Sequence, residues 1–266
     1  MHQYSEPNLL SYTTYLQPKT TKWVTLIHGA GGSSIIWFRQ IKFLNTHYNV
    51  LLIDLRGHGN SKHKPTTNSL TFDEVVQDII DVLNHLKIAS SHFIGISLGT
   101  IIIRQLAATH AKRVDGLIMA GAIMQLNIRS QLLMQLGMFS KSFIPYMWLY
   151  RFFAFIIMPR HNHKKSRAMF IREAKKLTQQ EFIRWYRLST QVNTVLKKLR
   201  SNIAAMPCLY LMGKEDAMFL PSIQKLVTKQ PINNKLIVVP NCGHVVNIDQ
   251  PDLFNNYTIA FLNTIG

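Results

Sequence analysis

Residues 95–99 read Gly95-Ile96-Ser97-Leu98-Gly99, directly behind an apolar strand candidate, His92 to Ile96, and directly ahead of a helical run, Thr100 to Ala108. A strand that turns sharply into a helix lifts the side chain at the turn clear of both elements, and here that side chain is the hydroxyl of Ser97. A serine hydroxyl is a weak nucleophile and needs a base held within reach. Gly95 and Gly99 supply the small flanks that so tight a turn requires. The N–H of Leu98, at the helix start, is aimed where negative charge develops on an attacked carbonyl oxygen. Five residues match such a pattern by chance often enough that the reading depends on its surroundings.

Two later segments supply that context. Gly213-Lys214-Glu215-Asp216 follows a strand candidate, Cys208 to Met212, and Asn241-Cys242-Gly243-His244 follows another, Lys235 to Val239. An acid and a histidine thus stand on loops after consecutive strands, in the chain order Ser, Asp, His. His244 is the expected base for the Ser97 proton, and Asp216 the acid that fixes its tautomer. Glu215 is the rival acid, read as an exposed neighbour. Upstream, His28-Gly29-Ala30-Gly31-Gly32-Ser33-Ser34 ends a further strand, and Ala30 is the expected second oxyanion donor. This glycine-rich turn lacks the Lys-Ser/Thr ending of a phosphate loop and the spacing of a dinucleotide fingerprint.

Around these loops, short β-branched runs alternate with amphipathic stretches, the pattern of a largely parallel sheet with crossover helices. Further strand candidates are Tyr12 to Leu16, Trp23 to His28, Val50 to Asp54 and Gly116 to Ala120. Phe72 to Leu86 has Val75, Val76, Ile79, Ile80, Leu83 and Leu86 at helical spacing, with Asp73, Glu74, Asp78 and Asp81 expected toward solvent. Residues 124–205 then read as consecutive helices without a convincing strand. The expected organisation is a core of residues 1–123 and 206–266 carrying a helical lid, 124–205. A C-terminal helix is expected from about Asp252 to Leu262.

The segments HGAGGS (28–33), DLRGHGNS (54–61), GISLGT (95–100) and GHVVNIDQPDLF (243–254) resemble, in this order, the motifs of the α/β-hydrolase superfamily, in its lid-bearing branch. The resemblance covers nearly the whole chain. It implies an α/β-hydrolase fold, a mostly parallel central sheet flanked by helices with an inserted helical lid. It also implies serine hydrolase chemistry with no metal or organic cofactor, and makes Asp54 and His58 scaffold residues. Relatives that open epoxides or haloalkanes carry aspartate where this chain has Ser97, so those two reactions are not expected. Ile96, Thr100 and Asp249 depart from common family choices without removing a catalytic group.

The expected substrate is a carboxylic ester of an apolar acyl chain. Thioester, lactone or carbon–carbon hydrolysis, perhydrolysis and acyl transfer share the same three residues, and a non-catalytic ligand-binding scaffold has no chemical need for all three. The 266 residues carry a net charge of +17, unevenly spread. Residues 124–205 hold 15 Lys or Arg against Glu173 and Glu181, a net of +13, while the rest nets +4. No nucleic-acid module accompanies that charge, so nucleic acid is not an expected partner. Many large apolar side chains of the lid, among them Met138, Phe139, Phe143, Ile144 and Tyr146 to Tyr150, are accounted for by packing on the core. The alternative is that part of them lines an acyl pocket while Arg151, Arg160, Lys164, Lys165 and Arg167 face an anionic membrane. His161 and His163 read as surface residues. Cys208 and Cys242 form no metal or disulfide pattern and fit a reducing cytoplasm. No secretory leader is read at the start, and Arg151 and Pro145 interrupt the longest apolar stretch, so a membrane span is not expected.

Overall fold

The structure, a computed structural model, describes residues 2–4, 8–64, 69–125, 145–199, 206–230 and 232–265. In chain order the elements are β1 (His2–Tyr4), β2 (Tyr12–Tyr15), β3 (Trp23–Ile27), α1 (Phe38–Leu44), β4 (Asn49–Ile53), α2 (Phe72–His85), β5 (Ser91–Ile96), α3 (Leu98–Thr109) and β6 (Val114–Ala120). Then follow α4 (Tyr146–Ile157), α5 (Lys164–Ala174), α6 (Gln179–Thr190), α7 (Val192–Leu199), β7 (Cys208–Gly213), α8 (Leu220–Lys229), β8 (Asn234–Val239), α9 (Val246–Asp249) and α10 (Pro251–Ile265).

The central strands are near-continuous apolar runs, and because successive side chains point to opposite faces both faces are buried, so the sheet needs helices on each side. Leu51, Ile53 and Phe93 face one layer with Val75, Ile79 and Leu83 of α2 and Ile102 and Leu106 of α3. Their neighbours Val50, Leu52, Ile94 and Ile96 face the other, with Trp37, Leu44 of α1, and Phe254 and Leu262 of α10. The sheet has eight strands in the order β1-β2-β4-β3-β5-β6-β7-β8. β1 and β2 add antiparallel to the edge at β4, and the other pairings are parallel. This is the α/β-hydrolase fold. Parallel strands all end at one edge, and the loops after β3, β5, β7 and β8 therefore open on the same side.

Between β6 and β7, helices α4 to α7 leave the sheet. Leu149, Tyr150, Ala174, Phe182 and Tyr186 form a small cluster of their own. Trp185, Leu188, Val192, Leu196 and Leu199 instead join the core beside α2 and α3, which anchors the insertion. Met138, Phe139, Phe143 and Ile144 lie outside the described residues. Among the described residues, no helix is long and apolar enough to cross a membrane.

Helix α2 begins where its sequence places it, because Thr71 and Glu74 form a reciprocal capping box. One of its acids departs from expectation. Asp78 is buried, because Arg56 reaches it with two hydrogen bonds of 2.8 and 2.7 Å and Lys64 approaches to 2.7 Å, both from the loop after β4. Strand β1 also escaped the sequence reading. Three residues without strict alternation carry no signal until β2 offers them an edge.

Candidate active site

Ser97 stands between β5 and α3 with φ +54° and ψ −122°, a backbone region that a residue bearing a Cβ adopts only when its surroundings force it. The forcing groups are close by. The Ser97 N–H donates to Ala120 O at 3.0 Å, and Thr100 Oγ1 returns a 2.6 Å bond to Ser97 O. A Cβ at Gly99 would lie 2.5 Å from Ile27 O, so only glycine lets α3 press against the end of β3. Thr100, a departure from the family pattern, thus caps the turn from within.

His244 Nε2 lies 2.9 Å from Ser97 Oγ, and its Nδ1 lies 2.7 Å from Asp216 Oδ2. Asp216 is buried and also accepts from the Phe219 N–H at 3.2 Å, while the Phe219 ring lies 5.0 Å from the imidazole. The two loops are stitched together by Glu215 N to Cys242 O and Lys214 N to Val239 O, at 2.9 and 2.8 Å. The carboxylate fixes the proton on Nδ1 and turns the Nε2 lone pair toward the hydroxyl. Ser97 is thus joined in one hydrogen-bonded chain to His244 and Asp216, which lie far beyond it in the sequence. Cys242 is not part of that chain, since burial raises its thiol and leaves it un-ionised.

A cavity of about 220 Å³ opens over Ser97. Ala30 and Leu98 both line it, as do Ile36, Ile123, Phe153, Ile157, Trp185 and Met218. Leu98 is the first residue of α3, so its N–H has no carbonyl within the helix to receive it. In the glycine-rich turn the Gly31 N–H donates to His58 Nε2 at 2.9 Å and the Gly32 N–H to Gly29 O at 3.1 Å. His58 Nδ1 in turn bonds Arg56 O, while His28 bonds Gly29 O through Nδ1 and receives the Leu55 N–H on Nε2. Each imidazole therefore needs an unprotonated Nε2. Burial, joined for His58 by repulsion from His28, lowers them to about 4 for His28 and about 3 for His58. Asp54 accepts the Ser34 and Asn60 N–H groups, so it and His58 act as scaffold.

The insertion grips these loops at several points that no local motif announced. Tyr150 donates to Ala30 O at 2.6 Å, and Trp185 Nε1 to Arg56 O at 3.1 Å. Ser33 donates to the buried Glu173 at 2.7 Å. Burial alone raises the Glu173 carboxyl, but Lys176, Ser33 and Arg172 together hold it below its ordinary value. Two expectations are corrected here. Glu215 is no exposed neighbour: it accepts from Asn162 Nδ2, Arg160 Nη1 and His163 Nε2 at 2.8, 2.7 and 2.7 Å. Donation from Asn162, with His163 and Arg160, lowers its carboxyl despite some desolvation. His163 is not a surface residue but fully buried, its ring packed where a Gly243 Cβ would come within 2.7 Å. Asp249, another of the departures, accepts the Gly243 N–H at 3.1 Å and so braces the histidine loop. Among the described residues no cluster of His, Cys, Asp and Glu is arranged to hold a metal ion.

The profile of a family described as the alpha/beta hydrolase family matches residues 26–256. The chain is similar to (E)-2-((N-methylformamido)methylene)succinate hydrolase of Acinetobacter baylyi, 22% identical over 91% of this chain and 90% of that one. Its fold is similar to a carboxylesterase structure from Nitrososphaera gargenis, with a TM-score of 0.79 and 21% identity over 99% of this chain and 98% of that one. It is equally similar to the enol-lactonase from Burkholderia xenovorans LB400, with a TM-score of 0.79 and 20% identity over 96% of each chain.

Protonating His28 breaks its contact with the Leu55 N–H, and protonating His58 breaks its contact with the Gly31 N–H of the glycine-rich turn. Their folded values lie below the unfolded value of about 6.5, so the unfolded chain takes up protons first and stability falls as pH drops from about 6.5 toward 4. At pH 5 each contributes a loss of about 2 kcal/mol. His58→Gln, which keeps an acceptor for Gly31, is expected to remove roughly half of this pH dependence, read as urea midpoints at pH 7 and pH 5. An unchanged dependence contradicts the assignment. Gly243→Ala is expected to cost about 1–3 kcal/mol by overpacking against His163, checked by thermal unfolding; an unchanged midpoint would contradict the tight packing.

Proposed function

This chain belongs to the alpha/beta hydrolase family, and from that premise we propose that it is a serine hydrolase cleaving carboxylic esters of apolar acyl groups through an acyl-Ser97 intermediate. The observation that carries the proposal is the unbroken chain from Asp216 Oδ2 through His244 to Ser97 Oγ, ending in an apolar cavity.

His244 Nε2 takes the Ser97 proton as Oγ attacks the ester carbonyl carbon. The Ala30 and Leu98 N–H groups receive the oxyanion, and Asp216 stabilises the imidazolium. When the tetrahedral adduct collapses, the C–O bond to the alcohol breaks and His244 returns the proton to the leaving oxygen. Water then attacks the acyl-serine with its proton passing to His244, and a second collapse frees the carboxylic acid and restores Ser97. No metal or organic cofactor enters these steps. Phe153, Ile157, Phe170 and Trp185 favour an apolar acyl chain, and helices α4 to α7 act as the cap over it. Lactones are cyclic esters and follow the same steps, as do thioesters. The two buried free thiols suit a reducing cytoplasm, and the cations of the cap suit an anionic membrane face.

Ser97→Ala is expected to lower turnover by on the order of 10⁵ to 10⁶ while the far-UV spectrum stays unchanged, and to abolish labelling by a fluorophosphonate probe. Substantial hydrolysis by that variant refutes the nucleophile. Asp216→Asn is expected to cost about 10⁴ in turnover, against a much smaller loss for Glu215→Gln. The reverse order would transfer the acid role to Glu215. Across aryl esters of increasing acyl length, kcat/KM is expected to rise before it falls; a steady decline from acetate onward would remove the apolar acyl preference.

A further inference from the structure

We propose that α4 is an interfacial helix, which docks the insertion onto an anionic lipid bilayer and sets the acyl cavity directly behind the contact. Helix α4 has two apolar sides. Tyr150, Phe153, Ile156 and Ile157 line the cavity. Trp148, Phe152 and Phe155 recur at i, i+4 and i+7 on the opposite side, with 66%, 54% and 54% of their surface exposed. Scattered exposed apolar residues are ordinary, but three large aromatics on one helical stripe mark a contact surface.

Charge selects the occupant. Arg151 is exposed, one turn from Trp148 and one from Phe155, within the stripe itself. The Arg167 guanidinium of α5 lies over the Phe155 ring, 4.4 Å from its centroid, and exposed Lys164 sits one turn before it. From residue 124 to 172 the sequence has eight Lys or Arg and no acid. Arg160 is excluded from this face, being committed to Glu215. A second copy of the chain would meet the stripe with the same cations, which disfavours self-pairing. An anionic bilayer satisfies both halves of the surface, since Trp and Phe settle at headgroup depth while Arg and Lys meet lipid phosphates. Only the thickness of α4 then separates lipid from cavity, and an amphiphilic ester reaches Ser97 without crossing bulk water. That last step rests on the ester hydrolase reading.

The test is cosedimentation of the full chain with phosphatidylcholine vesicles, with and without phosphatidylglycerol, beside hydrolysis of a soluble aryl acetate in vesicle-free buffer. Wild type is expected to bind the anionic vesicles at least about tenfold better than the neutral ones, less so at high salt. Trp148→Ser, Phe152→Ser and Phe155→Ser together, or Arg151→Gln with Lys164→Gln, are expected to lower that binding about tenfold. Neither set contains a cavity-lining residue, so aryl acetate turnover stays within about twofold. Tryptophan emission is expected to shift to the blue on binding, a shift lost in Trp148→Phe, which still binds.

Absent vesicle binding, binding that survives both sets, or Trp148 emission indifferent to vesicles would overturn the proposal. So would self-association lost in the aromatic variant, or preferred binding of a single-stranded oligonucleotide. If wild type binds vesicles yet neither takes the fluorophosphonate label nor hydrolyses any ester, the hydrolase reading fails and the docking face stands. Ester hydrolysis without vesicle binding means the converse: the docking face fails and the hydrolase reading stands.

Discussion

The 2.9 Å contact between His244 Nε2 and Ser97 Oγ joins residues 147 positions apart, and most of the architecture serves to keep it made. A neutral hydrogen bond of this kind contributes only about 1 kcal/mol, far too little to organise its own surroundings. The surroundings must organise it. Parallel strands ending at one edge bring the two loops to the same place, and the main-chain bonds from Glu215 to Cys242 and from Lys214 to Val239 fix their spacing. The serine side holds its strained backbone because β3, β6 and Thr100 leave it no other course.

Burial and charge divide the work around that contact. Asp216 and His244 are buried, where their mutual attraction is weakly screened and the imidazolium formed in the proposed chemistry finds its partner. Beneath the glycine-rich turn, His28 and His58 do the opposite. Burial keeps them neutral, so that each accepts a main-chain N–H and shapes the turn that presents Ala30. Two histidines whose ring nitrogens meet main-chain groups thus serve as hydrogen-bond fittings, while His244, braced by Asp216, turns its other nitrogen to the Ser97 hydroxyl.

The insertion is tied to the same loops by polar contacts of unlike kinds. Tyr150 holds the carbonyl of Ala30, Glu173 holds Ser33, and the run from Arg160 to His163 encloses Glu215 beside Asp216. Its helices also complete the apolar wall over Ser97. A segment whose net charge sets it apart in sequence is therefore structurally continuous with the site through a few side chains on its inner faces, Arg160 among them, while Arg151 and Lys164 stand exposed.

Much of this was legible in the sequence where the physics is local. The short β-branched runs in β3 to β7, the helical spacing of α2 and the glycine-flanked turn at Ser97 depend on neighbours a few residues away, and the order of Ser97, Asp216 and His244 limited how three loops could meet. Asp78, Glu215 and His163 were misjudged for a common reason. Their environment is set by Arg56, Arg160 and Gly243, which no spacing rule connects to them. Burial of a charged side chain follows from what the rest of the chain packs against it, and Glu173 and Tyr150 entered the cavity wall by the same route. The sequence by itself determined the central strands, the turn chemistry and the candidate reacting groups, because those follow from short-range sterics and periodicity. Only the tertiary structure decided which charges are buried, which imidazoles are neutral and which side of α4 is left to solvent, because each is a property of distant segments brought into contact.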